Sequence, residues 1–153
     1  MSGSTLSRET YDRLRAELDD LTNRGRIEIA QKIEAARALG DLSENGDYHA
    51  AKDAQGHMEL RIRQIEALLR DVAVVDEVED TGAVAVGSIV TIDFAGDEEQ
   101  YLVGNTEERR EGYTTISPES PLGSALLGKV VGDSVAWRVG DNPFTAKVVN
   151  VSV

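Results

Sequence analysis

Asp41, Glu44 and Asp47 fall within one short run, Gly40-Asp41-Leu42-Ser43-Glu44-Asn45-Gly46-Asp47. Carboxylates held close on a loop can take a hard cation such as Mg2+, which prefers oxygen ligands and keeps several of its waters. One or two carboxylates are too few for a dedicated metal cage. They suit a site where a second macromolecule supplies the remaining ligands. A metal held this way can generate and orient a nucleophilic water, and two metals can share one phosphoryl displacement.

The same spacing has a plainer reading. Asp41-x-x-Glu44 fits a capping box, with Asp41 as N-cap and Glu44 three residues on. Acidic residues near a helix N-terminus are favourable to the helix dipole in any case. His49, one residue past Tyr48, reads as a surface or interfacial residue with a catalytic role as the minor alternative. Arg37 and Lys52 lie close to the acidic run; by default they belong to a solvated helix face, with contact to nucleic acid as the other reading.

Two helices must hold this loop. Leu14, Leu18, Leu21, Ile29, Ile33 and Ala36 recur at three- and four-residue steps and form one apolar stripe. Tyr48, Ala51, Gln55, Met58, Ile62, Ile65, Leu69 and Val72 alternate steps of three and four without a break, a heptad seam with Gln55 as its one polar member. Gly40 can end the first helix in a left-handed turn, and Asn45 or Asp47 can cap the second. The expected product is an antiparallel helical hairpin. Its first arm, from about Ser7 to Leu39, would be roughly 50 Å long at 1.5 Å per residue and should project. Asn23-Arg24-Gly25 is the place where that arm is weakest, because Gly and Asn are poor helix formers.

The pattern changes near residue 76. Asp76–Gly82 reads as a linker. Ser88–Phe94 alternates with period two, and Gln100–Val103, Tyr113–Ile116, Ser134–Val139 and Thr145–Val153 follow as strand candidates separated by Gly and Asp clusters. One short helix fits Pro121–Leu127. The fold class is α+β, with residues 1–75 as a coiled-coil hairpin, 76–83 as a linker and 84–153 as a small antiparallel sheet domain with one helix.

Composition limits what the chain can do. Of 153 residues, 28 are acidic and 16 basic, a net charge of −12, with no Cys and only two His. Zero Cys excludes a disulfide scaffold, a Cys-ligated zinc site and a thiol nucleophile. Strong acidity argues against a protein that coats nucleic acid, which needs phosphate neutralisation. The charge is uneven: residues 1–75 hold 11 Lys/Arg and 14 Asp/Glu, whereas residues 76–153 hold 5 and 14. No stretch approaches the roughly 20 apolar residues of a membrane helix, and no signal-peptide core stands at the N-terminus. The expectations are a cytoplasmic location and no membrane partner.

Gly40–Asn45 followed by Tyr48-His49-Ala50-Ala51-Lys52 resembles the tip signature of the GreA/GreB family of transcript cleavage factors, the GreA branch in particular. Arg61–Leu69 resembles the family's second helix, and Ser120-Pro121-Leu122-Gly123 with Ser124–Lys129 resembles a motif of its C-terminal domain. The resemblance implies an N-terminal coiled coil and a C-terminal domain like that of FK506-binding proteins. It implies RNA polymerase as partner, with the C-terminal domain on the rim of the secondary channel and the coiled coil inside it. Asp41 and Glu44 would then serve as catalytic and metal-binding residues. They would help hold a Mg2+ shared with the polymerase active site at the nascent RNA 3′ end of a backtracked complex. The free protein would bind no cofactor, be a monomer and not be an enzyme alone. Ser43, Asn45, Arg37 and Lys52 are the implied RNA or polymerase contacts near the tip, and Ser120, Pro121, Leu122 and Gly123 those on the docking domain. Ser43 stands where a basic residue is common in the family; its hydroxyl can donate a hydrogen bond instead. Two further readings stay open: a regulator of the same fold that blocks the channel without promoting cleavage, and a prolyl isomerase suggested only by the C-terminal fold.

Overall fold

The computed structural model describes residues 4–41 and 43–153; Leu42 of the tip run lies outside them. Packing divides the chain into two compact units. Tyr11–Val72 form one, and the described residues up to Thr10 together with Ala73–Val153 form the other.

In the helical unit the first arm is α1 (Arg8–Asp20), a π turn (Leu21–Gly25) and α2 (Arg26–Arg37). Asn23-Arg24-Gly25 therefore does not break the arm. The stripe explains why. From Leu21 the next apolar positions with regular spacing are Gly25, Ile29 and Ile33, three successive steps of four that a strict heptad does not contain. A π turn accommodates one additional residue and restores the phase. Leu14, Ile29 and Ala36 are buried, and Leu18, Leu21 and Ile33 half-buried, so both sides of the π turn face the same seam. Gly25 matters by its lack of a side chain: a Cβ there would stand 3.1 Å from the Met58 sulfur.

The return arm is α3 (Gly46–Arg70). All eight seam positions from Tyr48 to Val72 are buried or half-buried, with Ala51, Ile62 and Ile65 fully so. Ion pairs cross between the arms: Arg26 holds Glu59 through two hydrogen bonds of 2.9 and 3.0 Å, and Arg61 holds Glu17 at 2.6 and 2.9 Å. Such exposed or half-exposed pairs contribute little stability, about 0–1 kcal/mol each, but they favour one register.

The second unit contains two sheets. β1 (Thr5–Ser7) pairs in parallel with β2 (Ala73–Val75), a pairing absent from the sequence expectations. The larger sheet contains β3 (Ile89–Phe94), β4 (Asp97–Val103), β5 (Thr114–Ile116), β6 (Ser134–Val139) and β7 (Asn142–Ser152) in the spatial order β5-β4-β3-β7-β6. It is antiparallel except at its β4–β5 edge, where the pair is parallel. The short helix is α4 (Pro121–Leu126). Val90 and Ile92 of β3, Val103 of β4, Val135 of β6, and Ala146 and Val148 of β7 form the core with Val84 and Leu126. A register shift lies opposite Thr91/Ile92, where Thr91 pairs with Asn150 and Ile92 with Val148. Val149 is thereby left as the additional residue of a β-bulge.

Candidate functional site

The hairpin tip is built from both arms. α2 ends at Arg37; the amides of Leu39 and Gly40 then turn back to the carbonyls of Ala36 and Arg37 at 3.1 and 3.3 Å. Gly40 adopts φ +123°, a value that side chains disfavour, which is why glycine suits this reversal. α3 begins at Gly46 with Asn45 as its N-cap, the Asn45 side chain accepting from the Tyr48 amide at 3.1 Å. Of the two cap candidates the sequence offered, Asn45 takes the position, and Asp47 falls in the first turn.

The capping-box alternative for Asp41 and Glu44 does not hold. Asp41 lies outside the helix and closes a local turn of its own: its Oδ1 accepts from the Ser43 amide at 3.0 Å and from the Ser43 hydroxyl at 2.9 Å. Asp readily makes such turns in competition with helical capping. Asp41 and Glu44 are both exposed. Among the described residues, no hydrogen bond reaches Oδ2 of Asp41, and Glu44 has no hydrogen-bond or ion-pair partner. The two Ser43 hydrogen bonds, the backbone one first, hold the Asp41 carboxyl below the ordinary Asp value of 3.8. The shift favours the anion that an Asp already is in the neutral range.

A Mg2+ ion fits these donors by chemistry, since both offer hard carboxylate oxygens. It does not fit by number. Among the described residues no three acidic, His or Cys groups converge as a metal site. Asp41 and Glu44 can supply part of a coordination shell only.

Arg37 and Lys52 line one groove, of about 380 Å3, together with Ala30, Ile33, Glu34, Tyr48 and Gln55. Lys52 reaches the Gln55 side-chain oxygen at 3.0 Å. Gln55, the polar member of the seam, thus has a role at the groove floor that heptad logic alone does not supply. His49 is exposed and packs edge-on against Tyr48, ring centroids 5.7 Å apart, which agrees with a surface role.

In the second unit, Ser120 and Gly123 build the turn and Pro121 presents it. Ser120 caps α4, accepting from the Gly123 amide at 3.0 Å, while its hydroxyl donates to the Ser117 carbonyl at 2.6 Å. A Cβ on Gly123 would stand 1.9 Å from that carbonyl oxygen, so this position admits glycine alone. Leu122 packs half-buried against the core, and Pro121 is exposed at the first helical position. Sequence reasoning gave no reason to single out Glu108. Its carboxylate accepts from the Ser7 amide at 2.7 Å, the Ser7 hydroxyl at 2.9 Å and the Thr10 hydroxyl at 2.8 Å, fastening the start of α1.

The family profile described as transcription elongation factor, N-terminal, matches residues 4–74, and that described as transcription elongation factor, GreA/GreB, C-terminal, matches residues 79–153. The chain belongs to the GreA/GreB family of transcription elongation factors. Transcription elongation factor GreA of Streptomyces avermitilis is 47% identical over 137 residues, covering 88% of this chain and 83% of that one. GreA of a Roseiflexus species is 45% identical over 149 residues, 95% of both. Among solved structures, GreA factor homolog 1 of Thermus thermophilus aligns over 99% of both chains at 24% identity with a TM-score of 0.45. In this chain a helical hairpin carries the tip and a separate sheet domain carries the Ser120–Gly123 turn. No helix among the described residues is long and apolar enough to cross a membrane.

Proposed function

We propose that this chain binds RNA polymerase, places its hairpin in the secondary channel, and stimulates Mg2+-dependent cleavage of backtracked transcripts, without being an enzyme by itself. One observation carries the reading: Asp41 and Glu44 stand exposed at the turn, outside the capping arrangement that Asn45 already satisfies. Neither helix end uses them, and Asp41 spends only Oδ1 on its own turn with Ser43. Asp41 is an anion at neutral pH, with Ser43 lowering its pKa further, so its free oxygen is ready to ligate without a proton to lose. Asp41 and Glu44 would hold a Mg2+ jointly with polymerase carboxylates and RNA phosphate. When bound, such an ion would supply charge neutralisation at a phosphate and a lowered pKa for a coordinated water. Arg37 and Lys52, on their common groove, suit the phosphates of displaced RNA. Pro121 and Leu122 belong to the domain that docks on polymerase.

The test is transcript shortening in stalled, backtracked elongation complexes. The expected result is acceleration by the wild-type chain. Inhibition of synthesis with no shortening would favour the channel-blocking regulator, and peptide isomerisation by the chain would favour the prolyl isomerase.

A further inference from the structure

Apart from Met1, Met58 holds the only sulfur of the chain, which has no Cys. Met58 belongs to the seam of α3 and stands against the π turn of the opposite arm. Around the place a Gly25 Cβ would occupy lie the Met58 sulfur at 3.1 Å, and the Asp20 carbonyl oxygen and a Leu21 methyl at 3.6 Å each. The sulfur therefore rests on bare backbone. A thioether suits an irregular gap of this kind, and as packing alone the position asks nothing more of it. Its surroundings, however, are the least regular stretch of the hairpin.

Both arms are weak at this level. The first carries the π turn Leu21–Gly25, a form that is rare within helices and frequent at functional positions. The second carries Gly56, two residues before Met58. A Cβ on Gly56 would meet nothing within 4 Å, and its φ is not positive. Neither space nor conformation asks for glycine there, and glycine inside a helix destabilises it relative to Ala. Gly56 and His57 are exposed and Met58 is half-buried, so solvent reaches part of the Met58 side chain.

A thioether at such a place can be oxidised by a peroxide. The sulfur lone pair attacks one peroxide oxygen, the O–O bond breaks and an S–O bond forms. The proton of the attacked oxygen passes to the leaving hydroxide, which departs as water. Sulfur gives up two electrons and the peroxide takes them. The product is a polar sulfoxide in place of an apolar side chain. Toward Gly25 its oxygen would meet the Asp20 carbonyl, itself an acceptor, and the Leu21 methyl. Neither donates a hydrogen bond, and burying an unpaired polar oxygen is costly. Turning the oxygen outward pulls the side chain out of the seam. We infer that Met58 is a peroxide-sensitive modification site whose sulfoxide loosens the hairpin at its middle. Its regulatory effect rests on the cleavage reading above: a hairpin loosened there no longer holds Asp41 and Glu44 steady.

The test treats the full chain with hydrogen peroxide, removes the oxidant, and then maps sulfoxide by peptide mass. Oxidised Met58 should lower the melting temperature by about 5 °C and speed amide exchange around Leu21–Ile29. Methionine sulfoxide reductases with a dithiol should restore both. Met58→Leu, close in volume, should melt like the wild type and ignore peroxide, with Met1 common to both proteins. Met58→Gln, a polar chain of similar length, should reproduce the loss without peroxide. Transcript shortening by the oxidised wild type should slow several-fold and recover on reduction. Resistance of Met58 to a treatment that oxidises it in the unfolded chain would overturn the inference. So would full oxidation with unchanged melting and exchange, or an equal peroxide effect on Met58→Leu. If the untreated chain shortens no transcripts, the cleavage reading fails, while mass, melting and exchange still decide the role of Met58.

Discussion

The Asn45 side chain ties the end of one arm to the start of the other. Its amide nitrogen donates to the Ala36 carbonyl at 2.6 Å while its oxygen accepts from the Tyr48 amide at 3.1 Å. One residue thus adds a second donor to a carbonyl in the last turn of α2, satisfies an orphan amide of α3, and fixes the loop that carries Asp41 and Glu44. Replacing Asn45 by Ala removes both bonds. The expected loss is about 1–2 kcal/mol of stability, the usual cost of a lost cap, read by denaturant or thermal unfolding. Asp41→Ala, which touches no helix end, should cost much less. Equal losses for the two variants would contradict this assignment of the cap.

Ser43 lowers the pKa of Asp41. A carboxyl whose pKa is lower in the folded state contributes stability above its unfolded value, and that contribution fades as pH falls through the folded value. For Asp41 the window lies below 3.8. Carbon-detected NMR titration should place its midpoint under that value. Ser43→Ala removes the hydroxyl donor but keeps the amide, so the midpoint should rise part of the way back. A wild-type midpoint at or above 3.8, or no change in the variant, would contradict the Ser43–Asp41 turn.

Gly123 is fixed by sterics. With the Ser117 carbonyl oxygen 1.9 Å from the place a Cβ would occupy, Gly123→Ala must move backbone. A loss on the order of 3 kcal/mol is expected, measured as a lower melting temperature. Pro121→Ala, at an exposed first-turn position, should melt near the wild type and weaken polymerase binding instead.

The sequence made the hairpin legible because its seam is long and regular: from Tyr48 to Val72 every predicted position faces inward. The β6 strand is found at its expected bounds, since alternation and flanking glycines agree. Other features escaped for identifiable reasons. Thr5–Ser7 and Ala73–Val75 are each three residues long, too short for a period, and pair across nearly the whole helical unit in sequence. β4 begins at Asp97, three residues before its expected start, because Asp-Glu-Glu reads as turn although its partner β3 holds it in register. The π turn left only a faint trace, the three steps of four after Leu21. At the tip, residue types identified Asp41 and Glu44, but spacing could not distinguish a capping box from a free pair. That depended on where α3 begins, and one hydrogen bond from the Tyr48 amide to the Asn45 side chain decides it.

The decisive comparison sets the wild-type chain beside Asp41→Asn and Glu44→Gln in Mg2+-supported cleavage of backtracked transcripts, with polymerase binding measured in parallel. Each variant should lower the cleavage rate about 10- to 100-fold, the usual cost of disturbing a metal site, while binding polymerase like the wild type. Near-normal cleavage by either variant would contradict the role given to the tip carboxylates.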